Sequence, residues 1–220
     1  MTTPLHILIT AGPSQEPIDA VRFIGNRSSG RMGVAIAAAA LEAGHRVTLL
    51  LGPVAVTPPP GATTIPFRTA ADLEALLREH APQADLLIMA AAVADYRPVA
   101  ADAEDLRQRK IERAAELTLR LEPVPDLLAA VAASARPEQR IIGFALEEAA
   151  RLEERARAKL LRKRVHAVVA NPLATMDAMG VEGQLLLADG TVRRPPGWPK
   201  PIGKDEFARW LVREARGLWT

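Results

Sequence analysis

The chain has 220 residues, 49% of them hydrophobic, with 28 basic and 26 acidic side chains and a net charge of +2. That length predicts one domain, 1–220, with room for a sizeable core, while 4% aromatic content and no basic block argue against a nucleic-acid partner. Cysteine is absent, which excludes disulfides, thiolate catalysis and cysteine metal sites and suits a reducing, cytoplasmic setting.

The N-terminus MTTPLHILIT has no basic stretch before its apolar residues and predicts no signal peptide. Leu5–Thr10 reads as a first strand, apolar without alternation, as expected when both faces are covered. A long polar stretch follows, and then Gly30 to Ala43, a helix of small apolar residues closed by Gly44. Val47–Leu51 and Thr64–Phe67 read as strands, with a helix from Thr69 or Asp72 to Glu79. Asp85–Val93, DLLIMAAAV, reads as a buried strand; with Ala94 it closes the longest apolar run, about half of what a bilayer span needs. No membrane partner is expected.

Residues 97–116 lack periodicity and predict a mobile flap; Leu117–Leu121 alternates like a short strand. A helix over Asp126–Ala133, a strand over Arg140–Ala145, a charged helix over Glu147–Arg164 and a strand over Ala167–Ala170 come next. Asp189-Gly190, between apolar runs, marks a hairpin over 184–194. Asp205–Ala215 is a terminal helix with Phe207, Trp210, Leu211 and Val212 facing inward. Strands alternating with helices predict an α/β fold, a doubly wound, mostly parallel, Rossmann-like sheet with a small antiparallel region.

The long first loop is the leading candidate site, because structureless loops of that length are usually functional. Its Gly12 turn and its end, Asn26-Arg27-Ser28-Ser29-Gly30, offer an amide, a guanidinium and two hydroxyls beside a helix N-terminus, which suits an anion. Neither the dinucleotide nor the P-loop glycine spacing occurs. Ala90, Ala91 and Ala92 leave room for a flat ligand at a strand end, and Asp95 follows as a carboxylate for a divalent cation, or merely as a turn cap. Lys110 lies in a charged loop that could neutralise phosphate charge on closing. Lys159 and Lys163, four apart, share one helix face, and periodicity alone favours a solvated one. His6, His45, His80 and His166 have no spacing that suggests chemistry.

AGPSQEPID, FIGNRSSGRMG, AAAVADYRP, a Lys-Ile loop, PDLL, GFALEE, AKLLRK and VVAN occur in that order. Together they resemble phosphopantothenoylcysteine synthetase, a ligase of coenzyme A biosynthesis, over nearly the whole chain from Leu5. The resemblance implies that 4′-phosphopantothenate is activated by CTP, or by ATP as in the eukaryotic branch, with Mg²⁺. Cysteine then attacks the acyl-nucleotidylate. It implies Asn26 as the residue that turns over that intermediate and Lys110 as a catalytic flap lysine. By the same resemblance, Asp95 (beside the cation), Ala91, Ala92, Pro125, Asp126, Leu127, Leu128, Phe144, Lys159 and Lys163 bind nucleotide, which reverses the solvated reading of the two lysines. It implies a homodimer of the free-standing form, with a separate decarboxylase as a further partner.

Three positions depart from the family pattern: Glu112 in the flap, Val124 before Pro125-Asp126, and Met179-Gly180-Val181 where an aromatic is usual. Two other functions stay open on sequence alone. An NAD(P)-dependent oxidoreductase would need an acidic residue after the second strand, where Leu51-Gly52-Pro53 stands. A non-catalytic nucleotide-binding module would keep the fold and lose the activity.

Overall fold

The structure, a computed structural model, describes residues 3–99, 109–176, 178 and 180–219. Strand β1 (His6–Ala11) leads into a ribbon of β2 (Gln15–Pro17) and β3 (Phe23–Gly25), then helix α1 (Arg31–Glu42). Next come β4 (Arg46–Leu51), β5 (Thr63–Pro66), helix α2 (Ala70–His80) and β6 (Leu86–Met89). A second ribbon pairs β7 (Tyr96–Pro98) with β8 (Leu121–Pro123). Helix α3 (Leu127–Ala133), β9 (Arg140–Glu147), helix α4 (Leu152–Lys163) and β10 (Ala167–Pro172) follow. The chain ends with β11 (Gly180–Val181), β12 (Gln184–Leu187), β13 (Val192–Arg193), β14 (Ile202–Gly203) and helix α5 (Lys204–Arg216).

The main sheet has eight strands in the order β13-β12-β10-β9-β6-β1-β4-β5. The six from β5 to β10 run parallel, and β12 and β13 join antiparallel at one edge. Each central strand is apolar on both faces because helices cover both. Ile7, Ile9, Ile88 and Val169 pack with α1 and α5 on one face. Leu8, Leu87, Ile141 and Val168 pack with α2, α3 and α4 on the other. Thr69 starts α2 with a reciprocal capping box to Asp72, so both cap candidates act together.

Several sequence expectations are corrected. The run Asp85–Val93 stays a strand only to Met89. Its neighbour β1 turns at Gly12, φ +83°, a left-handed backbone that no strand sustains; Ala90 and Ala92 follow that turn, donating to Thr10 and Gly12 carbonyls at 3.1 and 2.9 Å. Leu117–Arg120 is not strand, and pairing begins at Leu121. The charged helix opens later than Glu147, with a 3₁₀ turn at Ala149–Arg151 before Leu152. The Asp189-Gly190 hairpin is antiparallel as expected and adds β12 and β13 to the edge of the main sheet; the first loop holds the ribbon β2–β3. Of the flap over 97–116, residues 100–108 lie outside the described ones, as does Met179.

Small side chains let α1 lie close on β1. A Cβ added to Gly33 would stand 2.4 Å from the Ala11 Cβ. Gly33→Ala would gain about 1 kcal/mol of helix propensity but overpack this contact, which costs about 1–3 kcal/mol. The expected net result is a lower urea midpoint at unchanged slope; a raised midpoint would show that α1 can move off the sheet.

Candidate active site

The chain leaves β1 for β4 and β5 on one side, then crosses to β6, β9 and β10 on the other, so the carboxyl ends of β1 and β6 diverge. Ligand sites of open α/β sheets form at such a switch point. A cleft of about 1000 Å³ lies there. Its near wall comes from the first loop, its floor from the segment after β6, and its far walls from the ends of α3, α4 and β10.

Local bonds hold the first loop and the floor together. Ser14 donates its backbone N–H to the Ala92 carbonyl at 3.1 Å, and its buried hydroxyl accepts from the Ala94 N–H at 3.0 Å. The buried Glu16 carboxylate accepts the Ala70 N–H at 2.8 Å, a favourable charge at the start of α2. Asn26, exposed on the near wall, donates from Nδ2 to the Val93 carbonyl at 2.8 Å. That bond fixes its amide against the floor.

Arg27, Ser28 and Ser29 line the cleft beside Asn26. The helix cap is Gly30, at φ +71°, directly after the two serines. Gly12 and Gly30 themselves lie off the cleft and shape the turns behind it. Ala91, Ala92 and Asp95 line the floor, and Asp95 is exposed.

Pro125, Asp126, Leu127, Leu128 and Phe144 also line the cleft. Asp126 caps α3, accepting the Ala129 N–H at 3.1 Å, and its carboxylate touches the Lys163 ammonium. Lys159 reaches across to donate to the Phe144 carbonyl at 2.5 Å. Burial pushes its ammonium below the usual lysine range, opposed by the nearby Glu147 and Asp95 charges and aided by Arg162. Burial lowers Lys163 as well, while Asp95 and the touching Asp126 carboxylate favour its charged form. Both lysines line the cleft, whereas periodicity alone favoured a solvated face. With Arg162 they form a cationic wall suited to phosphate.

Lys110 is the exception. It lies outside the cleft, in a shallow depression with Arg22, Ile111 and Glu112. The buried Asp19 anchors that segment, accepting the Ile111 N–H at 3.0 Å and a paired bond from the Arg22 guanidinium. Arg22 with the backbone bonds to Val21, Arg22 and Ile111 hold the Asp19 carboxyl well below the usual carboxylate range.

Among the described residues, no three His, Asp or Glu side chains gather as a metal cage. Asp95 offers one carboxylate, which fits Mg²⁺ carried in on phosphates, since that ion takes one or two carboxylates plus phosphate and water oxygens. Sequence reasoning missed Arg162, Asn171, Thr175 and Lys204, all on the cleft. For Asn171 a signal existed: a polar residue ending a parallel strand, just where such sheets bind ligands.

The family model described as DNA/pantothenate metabolism flavoprotein C-terminal domain matches residues 3–217. The coenzyme A biosynthesis bifunctional protein CoaBC of Escherichia coli (strain K12) is 41% identical over 170 residues, 77% of this chain and 41% of that protein. The chain thus spans about two fifths of that curated relative. The crystal structure of the C-terminal domain of a CoaBC bifunctional protein superposes with a TM-score of 0.79 at 34% identity, over 97% of this chain and 95% of that one. The DNA/pantothenate metabolism flavoprotein from Streptococcus pneumoniae gives a TM-score of 0.81 at 25% identity, over 97% and 99%.

Proposed function

Because the chain belongs to the DNA/pantothenate metabolism flavoprotein C-terminal domain family, we propose that it joins 4′-phosphopantothenate to cysteine in coenzyme A biosynthesis, with CTP as the activating nucleotide. The observation that carries this reading is one cleft that gathers Asn26, Asp95, Lys159 and Lys163 from three separate parts of the fold. A carboxylate at neutral pH is a poor acyl donor, so it must first be activated. Its oxygen attacks the α-phosphate and pyrophosphate leaves; the cysteine amine, as free base, then attacks the acyl carbon and expels the nucleoside monophosphate.

The cationic wall of Lys159, Arg162 and Lys163 suits the triphosphate, whose negative charge shifts toward the leaving pyrophosphate in the first step. Ser28, Ser29 and Arg27, beside the start of α1, suit the phosphate of 4′-phosphopantothenate. Mg²⁺ beside Asp95 would supply further charge neutralisation. Preference for CTP over ATP rests on the family resemblance alone.

The experiment is pyrophosphate release with Mg²⁺ and 4′-phosphopantothenate, comparing CTP with ATP, each with and without cysteine. CTP-dependent release that turns over repeatedly only with cysteine supports the proposal. ATP dependence moves the nucleotide. No release with either from folded protein returns the non-catalytic reading. Lys110 is assigned a place over the phosphates only when its segment leaves the Asp19 anchor. On that assignment Lys110→Gln should lower the pyrophosphate release rate about tenfold or more, as loss of a charged contact of about 1.5–3 kcal/mol would. Unchanged release would remove Lys110 from the mechanism.

A homodimer is also proposed. Phe23, Tyr96 and Leu121, on the two neighbouring ribbons, are 46%, 57% and 46% exposed, an apolar patch of the kind that marks protein contacts. Sedimentation tests it. A separate decarboxylase that takes the product's carboxyl group is the further proposed partner. Among the described residues no helix is long and apolar enough to cross a membrane; the cytoplasm is the proposed location.

A further inference from the structure

We infer that Ser14 is the positioning residue for Asn26, its buried hydroxyl fixing where the Asn26 amide stands during the cysteine step. The inference rests on the ligase reading. Ser14 is fully buried and does not line the cleft, so it acts through its neighbours. The floor after β6 hangs on the first strand and loop by acceptors of two kinds. The Ala90 and Ala92 N–H groups donate to the Thr10 and Gly12 carbonyls. The Ala91 N–H donates instead to the Thr10 hydroxyl at 3.1 Å, and the Ala94 N–H to the Ser14 hydroxyl at 3.0 Å. Hydroxyls thus extend the attachment past the end of the β1–β6 ladder.

Ser14 stands at both ends of the bond that orients Asn26. On the floor it grips Ala92 with its N–H and Ala94 with its hydroxyl, and Val93 lies between these two residues. The Val93 carbonyl is the group that accepts from Asn26 Nδ2 at 2.8 Å. On the near wall, Gln15, the residue after Ser14, pairs with Gly25, the residue before Asn26. The connections therefore close a ring through Ser14, Gln15, Gly25, Asn26, Val93 and Ala94. A carbonyl only accepts, so the ring also fixes which end of the amide faces the floor. Without the hydroxyl the buried Ala94 N–H loses its acceptor, a costly state that a shift of the backbone relieves. The Val93 carbonyl shifts with it, and the Asn26 amide follows. Asp95 is held separately, its carbonyl accepting the Val124 N–H at 2.8 Å, so the activation step is spared.

The test is a double-mutant cycle read by rapid quench, which follows pyrophosphate release and consumption of the acyl-nucleotidylate by cysteine as separate rates. Ser14→Ala should slow the cysteine step about 10- to 100-fold, the order of loss that a small misplacement near the reacting atoms causes. Single-turnover pyrophosphate release should stay within about threefold, because activation makes no use of the Asn26 donor. Ser14→Thr keeps the hydroxyl and should restore the cysteine step. In an Asn26→Ala background, Ser14→Ala should slow that step by no more than about twofold, since the group it positions is already gone. A hydroxyl with a merely structural part would lower stability and leave the rate per folded molecule unchanged. An unslowed cysteine step in Ser14→Ala, equal slowing of both steps, or a full further loss in the Asn26→Ala background would each overturn the inference. If Ser14→Ala does not fold, Ser14→Cys takes its place, a near-isostere whose sulfur is a weak acceptor, and an unslowed cysteine step there is equally fatal. No pyrophosphate release from the unaltered protein would instead overturn the ligase reading and this inference with it.

Discussion

Asn26→Asp is expected to slow the cysteine step about 10²–10³-fold, the usual cost of losing one donor aimed at a developing oxyanion. Pyrophosphate release in a single turnover should stay within a few fold. The Asn26 amide carries two N–H donors, and one is committed to the Val93 carbonyl at 2.8 Å. That bond orients the group, and the second N–H is the one proposed to meet the acyl oxygen as the amine attacks. Aspartate has nearly the same shape and no donor. It would face the Val93 carbonyl oxygen with a like partial charge and repel the oxyanion. Activation develops its charge on phosphate oxygens instead, so the first step is spared. The measurement is a quench experiment that follows pyrophosphate and the trapped acyl-nucleotidylate separately. Equal loss of both steps would take Asn26 out of this role.

Lys159→Met is expected to weaken nucleotide binding by about 10- to 150-fold, because a hydrogen bond to a charged group contributes about 1.5–3 kcal/mol and each 1.4 kcal/mol is tenfold. Methionine keeps much of the buried stem, so the loss falls on the charge. The pH dependence has a definite sign. Burial lowers the Lys159 pKa from its ordinary 10.5, and the bound triphosphate favours the charged form and raises it again. At pH values where the free ammonium has begun to lose its proton, binding therefore takes up a proton, and affinity falls with rising pH from a lower pH than an ordinary lysine would give. The methionine variant should lose that part of the dependence. Calorimetry in buffers of different ionisation enthalpy reads the proton uptake directly. A pH profile unchanged by the substitution would place the phosphates elsewhere on the wall. Lys163→Met tests the neighbour, whose charge is shared with Asp126 and whose loss should cost less.

Much of the fold was legible because the relevant physics is local or periodic. Continuous apolar runs such as Ile7–Ile9 and Leu86–Ile88 marked strands covered on both faces. The small residues of α1, the Thr69–Asp72 cap and the Asp189-Gly190 turn each announced themselves within a few positions. The end of β6 was misjudged because an alanine run says nothing about the turn its neighbour makes at Gly12. The ribbon β2–β3 was missed because its short strands carry little hydrophobic signal.

For the site, the sequence by itself determined which chemical groups are present and their order. It supplied an amide-guanidinium-hydroxyl cluster before a helix, a carboxylate after a strand and a stacked lysine pair. It also carried motifs that name a family. The tertiary structure alone decided which of these face one another. On α4, charges on several sides made Lys159 look solvated, and only packing against β9 turns it to the Phe144 carbonyl. Asp19 holds Ile111 from 92 residues away, and Asn26 meets Val93 from 67. Asn171 and Lys204 share a cleft only because β11 pairs with β14. Periodicity reports whether a side chain faces the core. The partner of a polar group is set by backbone crossings distant in sequence, and no local pattern encodes them.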